Sequence, residues 1–117
     1  QALDWVYAAD ILTPEQALQG RLVKAVVPHD QLLAEAHALA HRWIDGRSPV
    51  AIALARQMLL RNHVADHPRH AHAVESLAML HTSRHDGKEG VASFNEKRAP
   101  VYRGRASSDL GDFYPWW

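Results

Sequence analysis

Between Asp30 and Arg98 the chain divides itself into four helical segments by its own start and stop signals. Only one β-rich run, Leu22-Val-Lys-Ala-Val-Val27, precedes them, and Pro28 stops it. Asp30 stands where a cap is needed, and Leu33, Ala36, Leu39, Ala40, Trp43 and Ile44 then recur at helical spacing until Gly46. Ser48-Pro49 starts the second segment, with Val50, Ala53, Leu54 and Leu60 as its stripe. Pro68 opens the third, whose face is Ala71, Val74, Leu77 and Ala78. Asp86 with Glu89 three residues on reads as a capping box for the fourth, which carries Val91 and Phe94.

The lead-in is thinner. Residues 1–11 read as the end of a helix and a short extended piece. Thr13-Pro14 with Gln16 forms another capping box, and Gly20 suits the end of that short helix. The expected fold is mainly α, with one or two short strands at the N-terminal end. A single strand cannot satisfy its own backbone, so it needs a partner edge that this chain hardly supplies. Beyond Pro100 the chain is irregular. Residues 104–112, rich in Gly, Ser and Asp, read as a mobile linker, and the chain closes on Phe113-Tyr-Pro-Trp-Trp117. Adjacent tryptophans are costly to leave in water, so the reading for this end is a docking arm laid on a neighbour.

Composition excludes several classes of function. The 117 residues fit one domain, and a chain of this size buries roughly two-thirds of its unfolded surface. Thirteen Lys and Arg balance thirteen Asp and Glu, which gives no general attraction to nucleic acid or to anionic membrane. No apolar run approaches the about 18 residues of a membrane span. With no cysteine there is no disulfide or thiolate chemistry, which fits a reducing compartment, and the expected location is cytoplasmic. The chain opens on Gln1 rather than methionine, so the expectation is a fragment or a processed product.

The chemistry-bearing side chains give weak patterns. His37/His41, His63/His67 and His81/His85 are spaced to share helix faces, but a zinc site needs three or four ligands. No His-Glu-x-x-His accompanies them, so no metal is expected. Ser48, Ser76, Ser83, Ser93 and Ser107-Ser108 lie in no Gly-x-Ser-x-Gly elbow. Gly87-Lys88 lacks the upstream glycine of a phosphate loop. Glu96, Lys97 and Arg98 form a charged helix end, where cations suit the dipole.

Taken in order, Thr13-Pro-Glu-Gln-Ala-Leu18, Gly20-Arg-Leu-Val23 with Val26-Val-Pro28, Ser48-Pro49 and Glu89-Gly-Val-Ala-Ser-Phe-Asn-Glu-Lys-Arg98 resemble the C-terminal part of a crotonase-family (enoyl-CoA hydratase/isomerase) subunit. The resemblance runs from about Trp5 to Gly104; the tail from Arg105 has no counterpart. It implies the end of a spiral of β-β-α turns, a short helix and strand, over residues 1–29, a helical assembly and coenzyme-closing region over 30–104, and an aromatic tail over 105–117. It implies a homo-oligomer, a trimer or a hexamer, acting on an acyl-CoA substrate, with coenzyme A present only as part of the thioester. It also implies an oxyanion hole of two backbone N–H groups and, in hydratases, a pair of glutamates, all upstream of the matched region. None of Glu15, Glu35, Glu75 or Glu96 takes those roles, so no catalytic residue is assigned. The one role carried over is that of Lys97, which resembles a lysine that reaches a phosphate of CoA in a neighbouring subunit. An aromatic residue that some relatives place near the adenine aligns at about Ala78 here. The expected activity of the parent enzyme is enoyl-CoA hydration, and the chain alone is expected to be inactive. The alternative is a self-contained helical interaction module without enzyme ancestry.

Overall fold

The computed structural model describes residues 1–113. Six α-helices follow one another: α1 (Ala2–Ala8), α2 (Pro14–Gln19), α3 (Leu32–Ile44), α4 (Pro49–Arg61), α5 (Pro68–Arg84) and α6 (Asp86–Glu96). Short 3₁₀ turns at His29–Gln31 and Asn62–Val64 lead into α3 and follow α4. The chain forms two compact units, Gln1–Leu39 and the part from Ala40 onward, and the boundary falls inside α3.

In the first unit α2 starts on the expected capping box. Thr13 Oγ1 accepts from the Gln16 N–H at 3.2 Å, and Gln16 Oε1 accepts from the Thr13 N–H at 2.8 Å. Gly20 ends the helix at φ −78°, and the left-handed turn falls on Arg21 at φ 59°. Gly20 therefore serves by being small rather than by its dihedral freedom. A Cβ at this position would overlap the Trp5 ring, and the Gln1 amide donates to the Gly20 carbonyl at 2.8 Å.

The strand expected over Leu22–Val27 does not form. Residues 22–24 bend, residues 25–28 carry no regular structure, and there is no strand among the described residues. The Leu22 and Val23 N–H groups turn back onto the Ala17 carbonyl, at 2.8 and 3.4 Å. With no second edge beside it, a β-rich run has no ladder to join, and β propensity alone does not order it.

In the second unit Ser48 caps α4 as expected, its Oγ accepting from the Ala51 N–H at 3.1 Å with Pro49 at the first position. His67 does the same for α5, Nδ1 accepting from the Arg69 N–H at 3.0 Å ahead of Pro68. The capping box expected at Asp86 and Glu89 is absent. Asp86 is the first residue of α6, and its flanking residue His85 makes no side-chain cap. Both carboxylates have other partners. Asp86 Oδ2 accepts from Ser48 Oγ at 2.6 Å, and Oδ1 accepts from the Gly104 N–H at 3.3 Å. The start of α4, the start of α6 and the returning chain thus meet on one carboxylate.

Helix α4 packs on α5, and α5 on α6. Val50, Leu54 and Ala78 form the buried centre, with Met58, Val74, Leu110 and Phe113 packed around it. Leu54 is 1 % exposed and is the only large side chain buried so fully among the described residues. Residues 104–112 are not the free linker expected. The Arg105 N–H donates to Asp109 Oδ2 at 2.7 Å, and the Asp109 N–H to the Arg105 carbonyl at 2.9 Å. His81 Nε2 donates to the Asp109 carbonyl at 2.7 Å, which holds the turn against α5 and delivers Leu110 and Phe113 to the core. Phe113 therefore packs within its own chain; Tyr114-Pro-Trp-Trp117 lie outside the described residues.

A large part of the apolar surface stays in water. Helix α3 has no buried residue, and its stripe residues Leu33, Trp43 and Ile44 are exposed. Leu59, Leu60, Leu77, Met79 and Leu80 on α4 and α5 are exposed as well. No helix among the described residues is long and apolar enough to cross a membrane.

Candidate functional site

The C-terminal end of α6 gathers the charged residues singled out by sequence and separates their roles. The Lys97 N–H bonds the Phe94 carbonyl at 3.3 Å and the Arg98 N–H bonds the Ser93 carbonyl at 3.1 Å. This is a Schellman closure, with the residue past the helix in the left-handed region. That residue is Lys97, at φ 56° and ψ 35°. Glycine normally takes this position, because a Cβ there crowds the following carbonyl. Lys97→Gly is therefore expected to stabilise the fold by about 1 kcal/mol. Lys97→Ala should give no such gain. Thermal melting of the two variants checks both statements.

Arg98 turns away into a clasp. Its guanidinium donates from both terminal nitrogens to Glu89, the Nη2–Oε2 bond being 2.9 Å long, and from Nε to Glu96 Oε2 at 2.6 Å. Glu89 Oε1 also accepts from the Val101 N–H at 2.7 Å, so one carboxylate fixes the chain on both sides of Pro100. The hydrogen bonds from Arg98, then that from Val101, hold the Glu89 carboxyl down at about 2, and the same pairing raises Arg98. A carboxyl lowered on folding stabilises fully above its unfolded value and loses that contribution as pH falls through the folded one. The melting difference between wild type and Glu89→Gln should thus be full above the reference value of 4.5 and fade as pH falls towards about 2. Melting curves over that range check it.

Lys97 takes no part in the clasp. Its Nζ lies 4.4 Å from the centroid of the Phe94 ring, one helical turn back. Sequence spacing could have found this pair, because positions three apart share a helix face. No spacing rule could have found Glu89 with Arg98 and Val101, or Asp86 with Ser48 and Gly104. A cleft of ≈ 650 Å³ opens between α6 and the returning chain, lined by Lys88, Glu89, Arg98 and Arg103 among others.

The remaining candidates do not assemble into chemistry. Ser48 donates to Asp86, while Ser76, Ser83 and Ser93 bond back to carbonyls of their own helices, so none is paired with a histidine base. The His81 and His85 rings lie 4.5 Å apart, and each donates to a backbone carbonyl at 2.7 Å. His41 faces Asp45 at 3.2 Å. Among the described residues no three His, Cys, Asp or Glu side chains come together to hold a metal ion. Ala78 is buried in the core, so that position cannot present a side chain to a ligand.

The family model described as enoyl-CoA hydratase/isomerase matches residues 1–105. The mitochondrial enoyl-CoA hydratase domain-containing protein 3 of Danio rerio is 35% identical over 92 residues, covering 78% of this chain and 31% of that protein. The 2,3-dehydroadipyl-CoA hydratase of Escherichia coli K12 is 31% identical over 100 residues, 86% of this chain and 39% of that protein. A solved structure from Mycobacterium abscessus, described as of the enoyl-CoA hydratase/isomerase type, superposes with a TM-score of 0.67 at 32% identity, over 80% of this chain and 39% of that one. The chain spans about a third of the length of the curated relatives it matches. With a match over nearly its whole length, this chain belongs to the enoyl-CoA hydratase/isomerase family.

Proposed function

We propose that this chain is the helical, C-terminal assembly and coenzyme-closing part of an acyl-CoA enzyme, with enoyl-CoA hydratase as the parent activity. That reaction adds water reversibly across the 2,3-double bond of a CoA thioester. The observation that carries the reading is the family match over residues 1–105, in a chain where Ser48, Ser76, Ser83 and Ser93 are each bonded elsewhere than to a histidine. The oxyanion hole and the catalytic acids would lie in the rest of the enzyme, so the chain alone is inactive. Lys97 would meet a phosphate of CoA held by a neighbouring subunit. A flexible ammonium acting as a point charge suits that task, and Arg98 beside it is already engaged by two carboxylates. Coenzyme A enters as part of the substrate and is not tightly bound. The location in this reading is cytoplasmic.

The exposed stripe of α3 and the exposed leucines of α4 and α5 support self-association into trimers or hexamers. Sedimentation velocity at micromolar concentration tests it. The expected result is a species of several chains. A stable monomer with these faces left in water would count against the assembly role.

A further inference from the structure

The chain holds two Asp-Gly pairs, Asp45-Gly46 and Asp86-Gly87, and the fold places them in opposite surroundings. In such a pair the glycine nitrogen can attack the carboxyl of the aspartate, because glycine sets no side chain beside that nitrogen. The reaction needs a carboxylate free to turn, an unbound N–H and room for a five-membered ring. Asp45-Gly46 has all three. The Asp45 carboxylate has one partner, His41 Nδ1 at 3.2 Å, in a pair whose side chains are 64% (His41) and 67% (Asp45) exposed. The Gly46 N–H makes no hydrogen bond among the described residues. The Arg42 carbonyl, which a continuing helix would offer it, accepts from Arg47 Nη1 at 2.9 Å. Gly46 stands at φ 67°, with nothing within 4 Å of where a Cβ would lie. At Asp86-Gly87 the carboxylate is not free and the room is missing. Both Asp86 oxygens are held, Oδ2 by Ser48 Oγ and Oδ1 by the Gly104 N–H. Gly87 lies in the first turn of α6, where a Cβ would come within 2.8 Å of the Thr82 carbonyl oxygen.

We propose that Asp45 is a site of spontaneous isoaspartate formation in the folded chain, and that the same fold shields Asp86 from it. The Gly46 nitrogen forms a bond to Cγ of Asp45. One carboxylate oxygen leaves as water, taking the amide proton and one proton from solvent, and a succinimide ring remains. Water then adds to one of the two ring carbonyls. The C–N bond at that carbonyl breaks, the nitrogen regains its proton and another returns to solvent. Opening at one carbonyl restores aspartate. Opening at the other gives isoaspartate, whose main chain runs through the former side-chain carboxyl with one extra methylene. Nothing is oxidised or reduced. The lengthened link falls three residues ahead of Ser48, the cap of α4. It also leaves a free α-carboxylate on the surface, the group that an isoaspartate-directed methyltransferase would take as its substrate.

The test is peptide mapping of the full chain after prolonged warm storage at neutral pH, folded in one sample and in concentrated urea in another. Trypsin releases residues 43–47 and 85–88 as separate peptides, each with one Asp-Gly pair. Isoaspartate splits a peptide into two chromatographic peaks of unchanged mass. In urea both peptides should split. In the folded chain the 43–47 peptide should split at close to its rate in urea. The 85–88 peptide should split at least about ten-fold more slowly than in urea, because reaction there waits for both carboxylate bonds to open. Asp45→Glu should leave the 43–47 peptide unsplit, since its longer side chain would have to close a larger ring. Equal protection of the two peptides by the fold, or a split of the 43–47 peptide that persists in Asp45→Glu, overturns the inference.

Discussion

Leu54→Ala is expected to destabilise the second unit by about 2–5 kcal/mol, enough to melt α4, α5 and α6 together near room temperature. Leu54 is the only large side chain so completely covered among the described residues, and it sits between Val50 and Ala78 where α4 meets α5. Truncating it leaves a cavity that this small core cannot refill, since Met58, Val74, Leu110 and Phe113 already line it. Leu59 on the same helix is exposed, so Leu59→Ala should move stability by no more than about 0.5 kcal/mol in the monomer. Thermal melts followed by circular dichroism compare the two. Equal losses would mean that the core does not lie where Leu54 lies.

Asp86→Ala should cost about 1–3 kcal/mol, because it strips two donors of their acceptor at once. The Ser48 hydroxyl, buried at the head of α4, and the Gly104 N–H both end on this carboxylate. The join is tight. A Cβ at residue 104 would come within 2.7 Å of Asp86 Oδ2 and 2.9 Å of Val50 Cγ2, so glycine is the residue that lets the chain pass. Urea unfolding midpoints of Asp86→Ala and Asp86→Asn are the measurement. The amide keeps an acceptor oxygen and should lose less. A loss of a few tenths of a kcal/mol for alanine would show that water replaces the carboxylate, contrary to this account.

The helices were legible in the sequence because their signals are local. Thr13 with Gln16, Ser48 with Pro49, and Pro68 each announced a helix that the structure starts there. Where the reading failed, a distant partner had outcompeted a near one. Asp86 and Glu89 have the spacing of a capping box, yet a hydroxyl 38 residues away and a guanidinium nine residues on hold them instead. Residues 104–112 have the composition of a linker and are pinned by His81. Leu22–Val27 has strand composition but no neighbouring edge, and bends. At the candidate site the sequence marked Lys97 and Arg98 as one charged cluster. The structure divides them, Arg98 into a clasp and Lys97 onto a ring, because a planar fork suits two carboxylate oxygens and a single ammonium does not. Membership of the family leaves no room for the alternative of a helical module of unrelated ancestry.

The measurement that bears most directly on the whole account is hydration of crotonyl-CoA by the purified chain alone. An assembly and coenzyme-closing segment, the role proposed for this chain, should give no turnover above buffer. Sustained, enzyme-dependent hydration, lost on heating and absent from a mock preparation, would show that the chain carries its own catalytic groups and would contradict the account.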